Sequence, residues 1–172
     1  MSVFDDVLNW GPLSRVRRNH ALEHATLQVL AEKNQHLRAA GYSDPQGFWL
    51  IGALETDQVQ EAVHEALTRL RAGEHSLAIH PHCGTNLVAS GFMAGTFAWV
   101  GMLGAGRSLR DRFERWPLVV SLVTVAIMLS QPLGPYLQAR YTTLAATQGL
   151  EVVSIQRSQR GDSPVHRVLT RY

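Results

Sequence analysis

Leu87–Gly106, LVASGFMAGTFAWVGMLGAG, holds no charged residue, and its reading decides the fold of the whole chain. At ~1.5 Å per residue, a helix of this length crosses the ~30 Å hydrocarbon core of a bilayer. Pro117–Leu137 is likewise free of charge. Together the two stretches read as a transmembrane helical hairpin, and polar flanks dilute them to a mean hydropathy of -0.06 for the chain. Two helices buried in a soluble core are the alternative, which the charge-free lengths disfavour. Gly91-x-x-x-Gly95, with Gly101, Gly104 and Gly106 beyond, offers small residues for close approach of a neighbouring helix, expected to be the second span. Gln131, Pro132, Gly134 and Pro135 predict a kink or stop near the end of that span, leaving Leu118–Ser130 as its regular part.

The segment between the spans, Arg107 to Arg115, carries four arginines and two acids, which favours the cytoplasmic side of a membrane. Other signals point the opposite way. The amino-terminal region lacks the basic and apolar segments of a signal peptide, and one cysteine in a chain without disulfides fits a reducing compartment. Moving a whole soluble region across the membrane requires a translocation signal. The expectation is therefore a multi-pass protein of the bacterial inner membrane with its soluble domain in the cytoplasm.

The soluble part reads as a small α/β unit. Ser14 is a candidate N-cap for a first helix, along which Val16, His20, Glu23, Leu27 and Leu30 recur at spacings of four and three. A loop over Gly41–Pro45 follows, then a buried strand at Phe48–Ile51. Asp57-x-x-Gln60 resembles a capping box, and Val59, Ala62, Val63, Ala66, Leu67 and Leu70 form an amphipathic stripe. Ser76–His80 alternates as a second strand, closed by Pro81 and giving a β-α-β order. After the spans, Leu150–Gln156 and Val165–Tyr172 form a β-hairpin turning around Gly161–Pro164 that can extend the amino-terminal sheet. Arg160-Gly161-Asp162 matches an adhesion tripeptide, but turn chemistry explains it adequately. The fold class is α+β, with a metal-site region at 1–86, a transmembrane hairpin at 87–137, and a carboxy-terminal hairpin at 138–172 completing the soluble domain.

Two clusters in the soluble region carry chemistry. His20-Ala21-Leu22-Glu23-His24 sets two imidazoles one helical turn apart on one face, with a carboxylate in reach of whatever they hold. His-x-x-Glu-His is the inverted zinc-hydrolase signature, in which neutral imidazoles hold Zn²⁺ and the Glu takes a proton from bound water. His80-Pro81-His82-Cys83-Gly84 supplies further donors, including the single cysteine. His80 and Cys83 can converge on one ion; His82, on the opposite side of an extended segment, is the weaker ligand. A His-Glu hydrogen bond in an ordinary core, with Cys83 as a small buried hydrophobe, is the bland alternative. His64 falls on the polar side of its helix, and His36 and His75 lack partners in sequence.

His-x-x-Glu-His near the start, then His-Pro-x-Cys-Gly-Thr, then two apolar spans, resembles the bacterial YqhQ-like group of uncharacterised, predicted metal-dependent membrane proteins. The resemblance covers the two short motifs and their order relative to the spans. It implies that His20, Glu23, His24, His80 and Cys83 form one site, and it brings no established substrate. His82 stands at the variable place of the second motif, and Asn86 follows Thr85.

The expected function is a membrane-anchored zinc-dependent hydrolase, foremost a peptidase acting near the bilayer surface. His20, His24 and one or both of His80 and Cys83 hold Zn²⁺, and Glu23 is the general base. Its partners are membrane lipid and a membrane-protein or lipid-linked substrate. The alternative is a non-catalytic metal-binding membrane protein, whose four ligands close a tetrahedral structural site. No phosphate loop or Ser-His-Asp order stands out, and a net charge of +2 does not indicate a nucleic-acid surface.

Overall fold

The computed structural model describes residues 3–160 and 163–172, which form two compact units in the chain. The first comprises residues 1–80 and 138–172, the second Pro81–Leu137. Gly161 and Asp162 lie outside the described residues, and the adhesion tripeptide with them.

The first unit opens with α1 (Val3–Leu8) and α2 (Gly11–Lys33). Pro12 sits in the first turn of α2, where its missing N–H costs nothing, so the helix begins at Gly11 rather than after Ser14. Every residue from Ala21 to Leu27 is buried, so α2 is enclosed all round at mid-length rather than along one stripe. Its polar residues there are satisfied within the unit. Asn19 Nδ2 donates to the Asp44 carbonyl at 2.8 Å, its Oδ1 accepts from Thr170 Oγ1 at 2.8 Å, and Thr26 Oγ1 donates to the Leu22 carbonyl at 2.7 Å.

β1 (Ala39–Asp44) and β2 (Gly47–Gly52) pair antiparallel, with Asp44 opposite Gly47. The loop expected over Gly41–Pro45 is thus mostly strand. Its composition disguises it: Ala39, Ala40 and Gly41 carry little apolar signal of their own, and β2 supplies their hydrogen bonds. α3 (Thr56–Arg71) buries Val59, Ala62, Val63, Ala66, Leu67 and Leu70, the stripe read from sequence. Its capping box is Glu55 with Gln58, two residues ahead of the expected pair.

The predicted strand over Ser76–His80 is not one. His75–Ala78 is a 3-10 turn, and the extended residues beyond it join no sheet. Side-chain amides replace the ladder: Gln28 Nε2 donates to the carbonyls of Leu77 (2.9 Å) and Ile79 (2.8 Å), while Gln138 bonds both the N–H and the carbonyl of His80. The β-α-β order therefore fails. β3 (Glu151–Arg160) and β4 (Ser163–Arg171) form the expected hairpin, and β4 also pairs with β2, giving an antiparallel sheet in the order β1-β2-β4-β3. α2, α3 and this sheet enclose a core of Leu22, Val29, Phe48, Leu50, Val63, Leu70, Leu150 and Val168.

The second unit is a helical hairpin of α4 (Gly84–Met102) and α5 (Leu109–Leu137). Both depart from the expected spans. α5 starts eight residues early because Ser108 and Asp111 cap it reciprocally, each backbone N–H bonding the other's side chain at 3.2 and 3.1 Å. Arg110, Arg112 and Arg115 are consequently helical rather than loop residues. Pro117, Pro132 and Pro135 all lie inside α5 without ending it, and a π-helical turn over Gln138–Thr142 follows.

Gly101, against Val119, and Gly134, against Asn86, are points of close approach between α4 and α5, whereas Gly91 and Gly95 are not. A Cβ at Gly101 would stand 3.0 Å from Val119 Cγ2, while Gly91 and Gly95 face open space. A Ser90–Ser130 hydroxyl bond of 2.8 Å adds a polar tie. Among the described residues one helix, Leu109–Thr142, is long and apolar enough to cross a membrane, with a hydropathy of 1.7. α4 does not reach that measure despite its lack of charge, because glycines and hydroxyl residues occupy much of its length.

Candidate metal centre

α2 delivers His20, Glu23 and His24 from adjacent turns. The rings of His20 and His24 meet edge to face with centroids 4.2 Å apart, and their ligand nitrogens lie within 4.8 Å of one another. Each Nδ1 is paired with a backbone carbonyl: His20 with Thr142 at 2.9 Å, His24 with Ala78 at 2.8 Å. A carbonyl only accepts, so each Nδ1 carries a proton, and in the neutral ring Nε2 is then the nitrogen with a free lone pair. This is the tautomer a histidine needs to bind metal through Nε2, set by an outer hydrogen bond.

His80 joins the pair from the extended segment, its ring centroid 5.6 Å from that of His24. The Gln138 amide accepts the His80 N–H at 2.8 Å and donates to the His80 carbonyl at 3.1 Å. Gln138 is itself fully buried. Arg17, also buried, donates to the carbonyls of Arg140 and Thr143, two residues before and one residue after Thr142. Burial and the charge of Arg140 hold the Arg17 guanidinium below its ordinary range.

Glu23 is 3% exposed and turns toward β1, where Ser43 Oγ donates to its Oε2 at 2.7 Å. Gly41 makes room for it, since a Cβ at that position would stand 2.6 Å from Oε1. Cys83 belongs to the second unit, as the N-cap of α4, with its sulfur accepting the Thr85 N–H at 3.4 Å. Three residues of chain hold its Cα within roughly 11 Å of that of His80. His82 is exposed, as are His36, His64 and His75.

The first unit thus brings together His20, Glu23, His24 and His80. Sequence reasoning missed what surrounds them: Gln28, Gly41, Ser43, Ala78, Gln138 and Thr142. Ala78 and Thr142 act through backbone carbonyls, which leave no mark on residue identity. Gln138 alone carried a signal, as an amide directly after an apolar span.

Residues 15–155 match the family described as Domain of unknown function (DUF6391). The chain belongs to this family. An uncharacterized protein of Picosynechococcus sp. is 32% identical over 171 residues, covering 91% of this chain and 80% of the relative. No solved structure matches. Neither sequence match carries the name of the YqhQ-like group. The matched segment of this DUF6391 protein takes in all five residues His20, Glu23, His24, His80 and Cys83.

Proposed function

We propose that this DUF6391 protein is a membrane-anchored zinc hydrolase, most simply a peptidase, whose centre is built on His20, His24 and His80. The observation that carries the metal reading is the pair of Nδ1 bonds to the Thr142 and Ala78 carbonyls, on two histidines whose ligand atoms lie within 4.8 Å of one another. Cys83, tethered by three residues to His80, is the fourth donor in the sequence motif. Zinc, if held there, would supply an activated water and polarise a carbonyl. Glu23, its carboxylate held by the Ser43 hydroxyl, would accept the proton. The apolar, 34-residue helix Leu109–Thr142 supports membrane anchoring, with α4 as its partner in a hairpin. A substrate at the bilayer surface, protein or lipid-linked, fits that anchoring; residence in the bacterial inner membrane with the first unit in the cytoplasm is proposed on the sequence signals alone.

The burial of Glu23 and its bond to Ser43 favour a second reading, a closed structural zinc site in which Glu23 only braces the fold. One variant separates the two. Purified protein carries about one equivalent of zinc, and His20→Ala with His24→Ala abolishes it. In the hydrolase, Glu23→Gln retains zinc yet loses turnover by ~10²-fold or more, and fails to complement a deletion strain. Full complementation by zinc-loaded Glu23→Gln rules out the enzyme. Undiminished zinc in the double histidine variant rules out the site.

A further inference from the structure

A buried glutamine bonded twice to the backbone of one residue is an unusual use of an amide. Gln138 matches the N–H and carbonyl of His80 as a neighbouring β-strand would, yet it reaches them from a π-helical turn. π-turns occur disproportionately at functional sites, where they hold a side chain at a position an α-helix cannot reach. Thr143 Oγ1 donates to the Gln138 carbonyl at 2.9 Å, and the Thr143 N–H to the same carbonyl at 3.0 Å, closing the turn. Four residues after Gln138, Thr142 presents its carbonyl to His20 Nδ1. One five-residue turn therefore bonds the ring of His20 and the backbone of His80, reaching two of the three histidines by different means.

We propose that Gln138 is the positioning residue of the metal centre: through its paired bonds to His80, it sets where the third imidazole stands, while the same turn fixes the tautomer of His20. The inference rests on the metal reading above and adds a residue to it. Gln138 touches no ion and takes no proton. A simple role in packing could be filled by an apolar side chain of the same volume, whereas a positioning role requires the amide. Gln28 makes the contrast, because its amide bonds only the carbonyls of Leu77 and Ile79 and leaves the backbone of His80 alone.

The test is zinc affinity of the detergent-solubilised full chain, measured by chelator competition, with the ligand-field absorption of the cobalt-substituted protein as a second readout. Gln138→Met keeps volume and removes both bonds; it lowers zinc affinity ~10–100-fold and alters the cobalt spectrum. In a His80→Ala background, Gln138→Met adds no further loss, because the imidazole it positions is gone. Unchanged affinity in Gln138→Met, or an equal loss with and without His80, overturns the proposal while leaving the metal centre intact. A wild-type protein that binds neither zinc nor cobalt overturns the metal reading and this one together. Should Gln138→Met fail to fold, Gln138→Glu is judged by the same criteria, since it keeps the acceptor for the His80 N–H and loses the donor.

Discussion

Glu23 is a buried carboxylate whose surroundings are small and specific. Gly41 gives it space and Ser43 gives it a hydrogen bond, so these β1 residues tune a residue on α2. Gly41→Ala sets a methyl group against Oε1, and overpacking of this kind costs about 1–3 kcal/mol. Denaturant unfolding should show that loss, with zinc content retained because the imidazoles are untouched. His166 on β4 is a different kind of buried residue. Fully enclosed, with Nε2 3.2 Å from Thr56 Oγ1, it is held below the ordinary histidine range by burial and by Arg157, against an opposing pull from Glu55. The unfolded chain thus takes up a proton near pH ~6.5 that the folded protein refuses. Its contribution to stability is complete above that pH and is lost as pH falls toward the depressed folded value. Zinc-free protein should lose stability between pH 7 and 5, and His166→Gln should flatten that dependence; an unchanged slope in the variant would refute the assignment.

At the scale of elements, α4 and α5 meet where side chains are smallest. Gly101 lies against Val119 and Leu122, and Ala89 and Ala126 are buried in the same unit. Gly101→Val should therefore crowd the contact and lower the thermal midpoint of the solubilised protein, at a cost of about 1–3 kcal/mol. Gly91→Val and Gly95→Val, which face open space, should leave it in place. The reverse pattern would mean that the Gly91-x-x-x-Gly95 pair forms the hairpin contact after all. The starts of α3 and α5 illustrate capping. Glu55 with Gln58 and Ser108 with Asp111 each answer exposed backbone donors, and the second pair is a plain sequence signal for a helix beginning among arginines.

For the whole molecule, the proposed anchoring rests chiefly on Leu109–Thr142, the one helix among the described residues long and apolar enough to cross a membrane. Exposed Phe92 and Trp99 on α4, and Phe113, Trp116 and Met128 on α5, give the helical unit an apolar exterior. If apolar area rather than surface charge holds it, as proposed, the protein should stay with membranes through high salt and carbonate washing. Release by carbonate would mean that α5 does not span. Labelling of single cysteines introduced at Arg110 and Tyr172, in a Cys83→Ser background, should find them on opposite sides only if α5 crosses; labelling from one side refutes the crossing.

What sequence alone determined is whatever repeats locally. The 3.6-residue stripe of α3 and the His20/Glu23/His24 turn of α2 follow from neighbours along the chain and are exposed by periodicity, and the β3–β4 hairpin by strand-forming residues on either side of a turn. Tertiary structure decided the rest because its causes are distant in sequence. β1 is a strand only because β2 pairs with it, and β4 takes the centre of the sheet by bonding β2 across more than a hundred residues. Ile79 and His80 are extended without being sheet, since Gln28 and Gln138 satisfy their backbone from outside any ladder. The candidate site divides in the same way. Its imidazoles were legible as residue types at helical spacing, whereas the carbonyls of Ala78 and Thr142 that fix their tautomers belong to the backbone, which every residue shares and only the fold can aim.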